Sequence, residues 1–222
     1  MLNGNSISVI IPTLNEEHNL SSVLGSLPDY VDEILVVDGH SSDRTVEVAE
    51  SHGCRVLYDA KGKGSALRTG LGAASGDIII MMDADCSHMS SELILLIAGI
   101  EAGFDICMGS RFIQGGGSED ISIVRKMGNM FFVWLVNMIW HTNYSDLCYG
   151  YRSFRKGVVE KLDLTENGFG IETEISIKAA KNRLRILEVP SFECPRKSGE
   201  GKLETISDGW IILKRIFTEL SG

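Results

Sequence analysis

From Ile78 to Met82 the chain is apolar at every position and then ends in two carboxylates one residue apart, Asp83 and Asp85. A strand with one wet face alternates polar and apolar residues, so an unbroken apolar run has to be covered on both faces. Runs of related character recur at 7–12 (ISVIIP), 33–38 (EILVVD), 55–59 (RVLYD) and 105–110 (DICMGS). Helical patterns fall between them, at about 16–27, 43–53, 63–75 and 90–102, with Ser42 or Asp43 and Ser90 placed to cap two of the helices. Alternating strands and helices of this kind predict a doubly wound, mostly parallel sheet over the first half of the chain.

The pattern changes after Arg111. The Gly-rich, polar stretch 113–120 predicts a mobile loop, and a long amphipathic helix follows at about 124–140. A loop is expected over 141–154, then helices near 156–163 and 171–183, a strand at 186–194, a basic loop at 195–202 and a last helix at 204–219. No linker or repeat divides the 222 residues, so one domain with two halves, dividing near Arg111, is expected.

Composition sets limits on function. Hydrophobic residues make up 44% and charged residues 23%, which allows a real core. The net charge of -9 speaks against non-specific nucleic-acid binding, which needs clustered Lys and Arg. An anionic substrate would need a local basic site or a metal. Five cysteines without CxxC spacing give neither a zinc site nor a disulfide framework and suit a reducing cytoplasm. No signal peptide is expected from the first residues. The apolar stretch Met127–Trp140 is too short to span a bilayer, so any membrane contact would be peripheral, from the cytoplasmic surface.

In parallel α/β sheets ligands bind beyond the carboxyl ends of the strands. Four expected strands here end in chemically useful residues: Pro12 to Glu16, Asp38, Asp83 to Asp85, and Gly109 to Arg111. Asp-x-Asp at a strand tip suits a hard divalent cation; capping a turn is the competing role. The Gly62-Lys63-Gly64 opening of a helix offers backbone N–H groups to phosphate or is simply a turn. Arg196 and Lys202, in a loop loosened by Gly199 and Gly201, either close over an anion or stay solvated. None of the histidines has metal spacing; His88, near the Asp pair, either approaches the metal or takes a surface or capping role, and the second is expected. Asp146 stands as either a general base for a hydroxyl acceptor or a turn-former.

These segments resemble family 2 of the glycosyltransferases. The residues that carry the resemblance are VIIPTLNEE (9–17), VVDGHSSDRT (36–45), GKGSALRTG (62–70) and DADCSH (83–88). SDLCYGYRSFRKGVVEKL (145–162) and EVPSFECPRKSGEGKL (188–203) resemble most closely the dolichyl-phosphate mannose synthase branch with its polyprenyl-phosphate relatives. The resemblance implies a GT-A fold, a Rossmann-like α/β fold with a mixed, mostly parallel sheet flanked by helices. Residues 1–111 would then bind a nucleotide sugar and 112–222 an acceptor. It implies inverting, metal-dependent transfer of a hexose from GDP-mannose or a UDP-hexose to a polyprenyl phosphate. By the same resemblance Pro12, Leu14, Glu16 and Asp38 line the base and ribose pocket. Asp83, Ala84 and Asp85 hold the diphosphate and Mg²⁺ or Mn²⁺, with Asp85 the principal ligand. Arg111 and Arg125 lie near the acceptor phosphate or donor sugar, and Arg196 and Lys202 close on the donor diphosphate. The chain departs from the family pattern at Leu14, where an aromatic is usual, at Gly39-His40, where Asp-Gly is usual, and at Ser87, where some relatives carry Gln.

Three alternatives differ in what they require. A saccharide or small hydroxyl acceptor, as in polysaccharide assembly, keeps the donor chemistry but needs a base. A nucleotidyltransferase needs a Gly-rich signature after the first strand, and PTLNEE (12–17) has none. A catalytically inactive nucleotide-binding module would tolerate loss of Asp85 or Arg196, and both are present. For assembly, a homodimer and a separate membrane-anchor subunit both remain open.

Overall fold

The computed structural model describes residues 1–198 and 205–221. The first half runs as β1 (Ile7–Thr13), α1 (Glu17–Ser26), β2 (Glu33–Asp38), α2 (Thr45–Ser51), β3 (Arg55–Tyr58), α3 (Lys63–Ala73), β4 (Ile78–Met81), α4 (Leu93–Glu101) and β5 (Ile106–Ser110). The second half adds β6 (Gly117–Ser118), α5 (Ile123–Trp140), β7 (Arg152–Arg155), α6 (Lys156–Val159), α7 (Ile171–Lys181), β8 (Ile186–Pro190), β9 (Phe192–Glu193) and α8 (Thr205–Ser221).

The main sheet has the order β3-β2-β1-β4-β7-β5-β8. Strand β7 is antiparallel to both of its neighbours, β4 and β5, and the other pairings are parallel. The apolar run of β4 shows why both faces had to be covered. Ile78 and Ile80 join one core with Leu20 and Val23 of α1 and Leu96 and Ile97 of α4. Ile79 and Met81 point the other way, into a core with Leu67 and Leu71 of α3 and Ile175 of α7. Helix α3 lies so close to β1 that a Cβ on Gly70 would come within 2.4 Å of Ile10 Cγ2. A third core joins Phe132 and Val136 of α5 to Ile177 of α7 and Ile212 and Ile216 of α8.

Three segments differ from the sequence expectation. The loop expected over 141–154 runs into β7, whose first residue, Arg152, is wholly buried in mid-sheet. Its guanidinium donates to the carbonyl oxygens of Tyr149, Leu147 and Glu172 and to Ser176 Oγ, at 2.9–3.1 Å. A charged residue satisfied in this way removes the apolar signal by which a central strand is read. The strand expected over 186–194 divides at Ser191. There Glu92 accepts the Phe192 N–H at 2.9 Å, and the chain leaves the main sheet to pair with β6 as β9. The Gly-rich stretch expected as a loop thus contains a short strand, β6. Among the described residues no helix is long and apolar enough to cross a membrane.

Candidate active site

Strands β1, β2, β4 and β5 all end on one edge of the sheet, and a cleft of about 570 Å³ opens beyond it. One wall carries Pro12, Thr13, Leu14 and Glu16 from the end of β1, with Gly39 after β2. The floor carries Asp83, Ala84 and Asp85 after β4 and Arg111 after β5. The far wall is made by Arg125, Asn129 and Phe132 of α5 and Ile212 of α8. The loops at three of these strand ends hold non-glycine residues at left-handed φ: Asn15 at 54°, His40 at 63° and Cys86 at 67°. Backbone strain of this kind collects at sites where geometry matters more than stability.

The two aspartates meet different partners. Lys63 Nζ lies 2.8 Å from Asp83 Oδ1 and 3.0 Å from Glu172 Oε1. Burial alone would push the Lys63 pKa down, but the two carboxylates outweigh it and hold the ammonium charged. Burial likewise pushes Asp83 up, and the charge and hydrogen bond of Lys63, with the charge of Arg196, help to reverse it, so Asp83 stays ionised. Asp85 Oδ1 accepts from Ser87 N at 3.0 Å and Ser87 Oγ at 2.6 Å. Its Oδ2 accepts from Arg196 Nη2 at 2.8 Å, while Arg196 Nη1 reaches Glu16 Oε1 at 3.2 Å. The segment after β9 therefore crosses from the floor of the cleft to the start of α1. Asn19 fastens it by donating to the Ser198 carbonyl at 3.1 Å.

His88 is buried, which corrects the surface half of its expected role. Its Nδ1 accepts the Asp83 N–H at 3.1 Å, so the ring proton belongs on Nε2, 3.8 Å from Asp83 Oδ2. The ring stacks on Tyr151 at 4.6 Å between centroids, and burial pushes its pKa down against the pull of Asp83. His88 is thus a neutral strut under the Asp83 turn.

Arg111 and Asp146 form one unit. Arg111 Nε donates to Asp146 Oδ2 at 2.7 Å and Nη2 to Asp146 Oδ1 at 3.0 Å. Nη1 donates to both oxygens of Glu193, at 3.0 and 3.1 Å, and the guanidinium lies 4.8 Å from the Tyr149 ring centroid. Asp146 is fully buried and accepts the Cys148 N–H as well. A general base needs a lone pair facing the acceptor, and here both Asp146 oxygens are engaged by Arg111. All three guanidinium nitrogens of Arg111 are engaged by the two carboxylates.

Asp38 is also fully buried and stands behind the cleft wall. It accepts from Thr13 Oγ1 at 3.0 Å, Ser41 Oγ at 2.6 Å and Ser41 N at 2.8 Å, bracing the ends of β1 and β2. Its neighbour Gly39 faces the cleft instead. Pro12, Leu14, Glu16, Asp83, Ala84, Asp85, Arg111, Arg125 and Arg196 all line the cleft. Lys202 lies outside the described residues.

Sequence reasoning missed Lys63, Glu172 and Asn129. The Gly-Lys-Gly motif drew attention to backbone N–H groups, whereas the lysine side chain is what reaches the floor. Glu172 carried no local signal, because its importance comes from α7 packing beside α3. Among the described residues no three His, Cys, Asp or Glu side chains gather as a ready metal cage. Asp83 and Asp85 nevertheless suit Mg²⁺ or Mn²⁺, which take one or two protein carboxylates and complete their shell with water and phosphate oxygens.

Residues 8–163 match the sequence model of the family described as glycosyl transferase family 2. The chain is 36% identical over 210 residues to a dolichol-phosphate mannosyltransferase of Pyrococcus furiosus, an alignment covering 89% of this chain and 59% of that protein. It therefore spans well under two thirds of that relative's length. It is 31% identical over 215 residues to a polyprenol monophosphomannose synthase of Mycolicibacterium smegmatis, covering 88% and 80% of the two chains. In three dimensions it is similar to glucosyl-3-phosphoglycerate synthase from Mycobacterium tuberculosis, solved with Mn²⁺, UDP and glucosyl-3-phosphoglycerate. That likeness has a TM-score of 0.77 at 22% identity, covers 98% and 81% of the two chains, and is one of fold, the GT-A fold.

Proposed function

The chain belongs to glycosyltransferase family 2, and on that premise we propose that it transfers a hexose, with inversion, from a nucleotide sugar to a polyprenyl phosphate. The observation that carries the choice of acceptor is the engagement of Asp146 by Arg111. With its expected base committed to an arginine, the acceptor side of the cleft suits a nucleophile that arrives already ionised. A phosphate monoester is such a nucleophile; a sugar hydroxyl is not. The names of the relatives, a dolichol-phosphate mannosyltransferase and a polyprenol monophosphomannose synthase, support the same reading.

In this reading Pro12, Leu14, Glu16 and Gly39 receive the nucleoside. The diphosphate lies over Asp83 to Asp85, between Lys63 and Arg196. As the sugar departs, negative charge grows on the β-phosphate oxygen, and the two cations that flank the diphosphate, Lys63 and Arg196, stabilise it. A divalent cation held by Asp85, with Asp83 beside it, supplies further neutralisation of the diphosphate when bound. Engaging a diphosphate, Arg196 exchanges the Asp85 carboxylate for phosphate oxygens. Arg125 faces the acceptor, and Arg111 shapes the floor beneath it.

A lipid acceptor also fits the outer face of α5. Ile123, Met127, Phe131, Trp134 and Met138 recur at helical spacing and are all exposed, while Phe132 and Val136 on the opposite face are buried. A row of large apolar side chains along the helix that walls the cleft supports contact with a polyprenyl chain or a bilayer surface.

The test is a transfer assay with purified protein, Mg²⁺ or Mn²⁺, GDP-mannose and UDP-hexoses, offered short-chain polyprenyl phosphate or saccharides. Transfer to the lipid phosphate that vanishes in Asp85→Ala is expected. Transfer to saccharide alone would overturn the acceptor, and nucleotide binding without transfer would leave a binding module.

A further inference from the structure

Asn129, in the second turn of α5, lines the cleft at 2% exposure. Its Oδ1 accepts two backbone N–H groups, from Leu147 at 3.1 Å and Cys148 at 3.2 Å. Those two donors fix which way the amide faces, since turning it over would set its NH₂ against both of them. The buried Nδ2 is left with no hydrogen-bond partner among the described residues. Buried donors are almost always satisfied, and an orphan at a cleft wall calls for a partner the folded chain does not itself supply. Next to it, a Cβ on Gly128 would meet only Phe132 Cε2, at 4.0 Å, so this part of the wall is open.

The chemistry of the missing partner follows from what Asn129 has left to give. With Oδ1 occupied it can only donate, so it matches an oxygen with lone pairs and no proton to place. A sugar hydroxyl would still need an acceptor of its own; an ionised phosphate oxygen would not. Arg125, one helical turn earlier, lines the same cleft and brings positive charge, and Asp120 and Asp208 are among the carboxylates that line it. We propose that Asn129 Nδ2 donates to a phosphate oxygen of the acceptor, making Asn129 a head-group binding residue for a phosphate monoester. The same amide grips the 147–148 backbone beside Asp146, so the acceptor phosphate is sensed by the loop that holds Arg111. This inference rests on the polyprenyl-phosphate reading above.

Asn129→Asp keeps an oxygen for Leu147 and Cys148 and replaces the donor with an acceptor. The expected result is a rise in KM for short-chain polyprenyl phosphate of roughly ten- to a hundredfold, the range for a lost hydrogen bond to a charged group. KM for the nucleotide sugar should stay unchanged. A soluble phosphomonoester used as competitor separates head-group from lipid recognition: it should compete against the wild type and lose potency against the variant. Asn129→Ser, read by the same ratio of the two KM values, covers failure of the first variant to fold. A wild type that transfers to lipid phosphate, with variants that raise both KM values together or neither, overturns the role of Asn129 alone. A wild type that uses only saccharide overturns the acceptor reading beneath it.

Discussion

Arg111 meets Asp146 edge to edge, with two parallel hydrogen bonds of 2.7 and 3.0 Å inside the protein. Such a fork fixes both the position and the plane of the guanidinium. Asp146→Asn should lower stability by about 3 kcal/mol, because one partner of a buried pair loses its charge. It should also reduce kcat evenly across pH, since Asp146 positions Arg111 and moves no proton. A pH–rate profile checks this: disappearance of an acidic limb in Asp146→Asn would instead mark Asp146 as a base.

Lys63 separates two carboxylates that would otherwise face each other. Lys63→Met leaves Asp83 and Glu172 without their shared cation and should cost about 3–5 kcal/mol. Adding Glu172→Gln should recover a good part of that loss. Urea unfolding of both single variants and the double variant measures the coupling, and strictly additive losses would show that the three groups do not act together.

Arg196 and a metal ion would address the same Asp85 oxygen. Arg196→Ala should therefore bind Mn²⁺ more tightly in the absence of nucleotide, while transferring sugar at least about tenfold more slowly. Titration of free Mn²⁺ by electron paramagnetic resonance reads the first effect independently of turnover. Weaker Mn²⁺ binding in the variant would mean that the arginine helps the metal rather than competes with it. Chelation should abolish transfer, and added Mn²⁺ should restore it.

Glu174 is a probe of acid stability away from the cleft. Burial pushes its pKa up, but the N–H groups of Glu166 and Thr165, with Lys178, outweigh it and hold the carboxyl below its unfolded value of 4.5. Its contribution is then fully present above that value and is lost as pH falls through the lower, folded one. Glu174→Gln should lose roughly 1.5–3 kcal/mol at neutral pH, with the gap to wild type closing as pH drops below 4.5. A gap that stays constant under acid would refute this.

The sequence was most readable where burial is symmetrical. Strands β1, β2 and β4 have apolar side chains on both faces, and a run such as Ile78–Met81 admits few other placements. It was least readable where one polar side chain replaces apolar ones, as Arg152 does at the head of β7. The cleft followed from strand tips, so Asp83, Asp85 and Arg111 were found together. What each touches depended on segments distant in sequence. Glu193 reaches Arg111 from a strand that leaves the sheet at Ser191, and Glu172 reaches Lys63 from α7. Asp38 and Asp146 have the right residue type beside the right strands but face inward. Periodicity predicts which face of an element is apolar; at a loop it does not predict which way a carboxylate turns.

The antiparallel position of β7 also sets a schedule for synthesis. Strands β3, β2, β1 and β4 are complete once Met81 has emerged, whereas β5 has no sheet neighbour until Arg152 and then Ile186 are made. A growing chain therefore carries a finished half-sheet whose β4 edge is bare, followed by a fully buried-type strand waiting for its partners. At ribosomal rates of roughly 5–20 residues per second, that interval lasts seconds. An open edge beside an unpaired apolar strand is the kind of surface that chaperones hold and that aggregates when left uncovered. Chains ended before Arg152 should therefore collect as insoluble protein, even though they contain Asp83, Asp85 and Arg111.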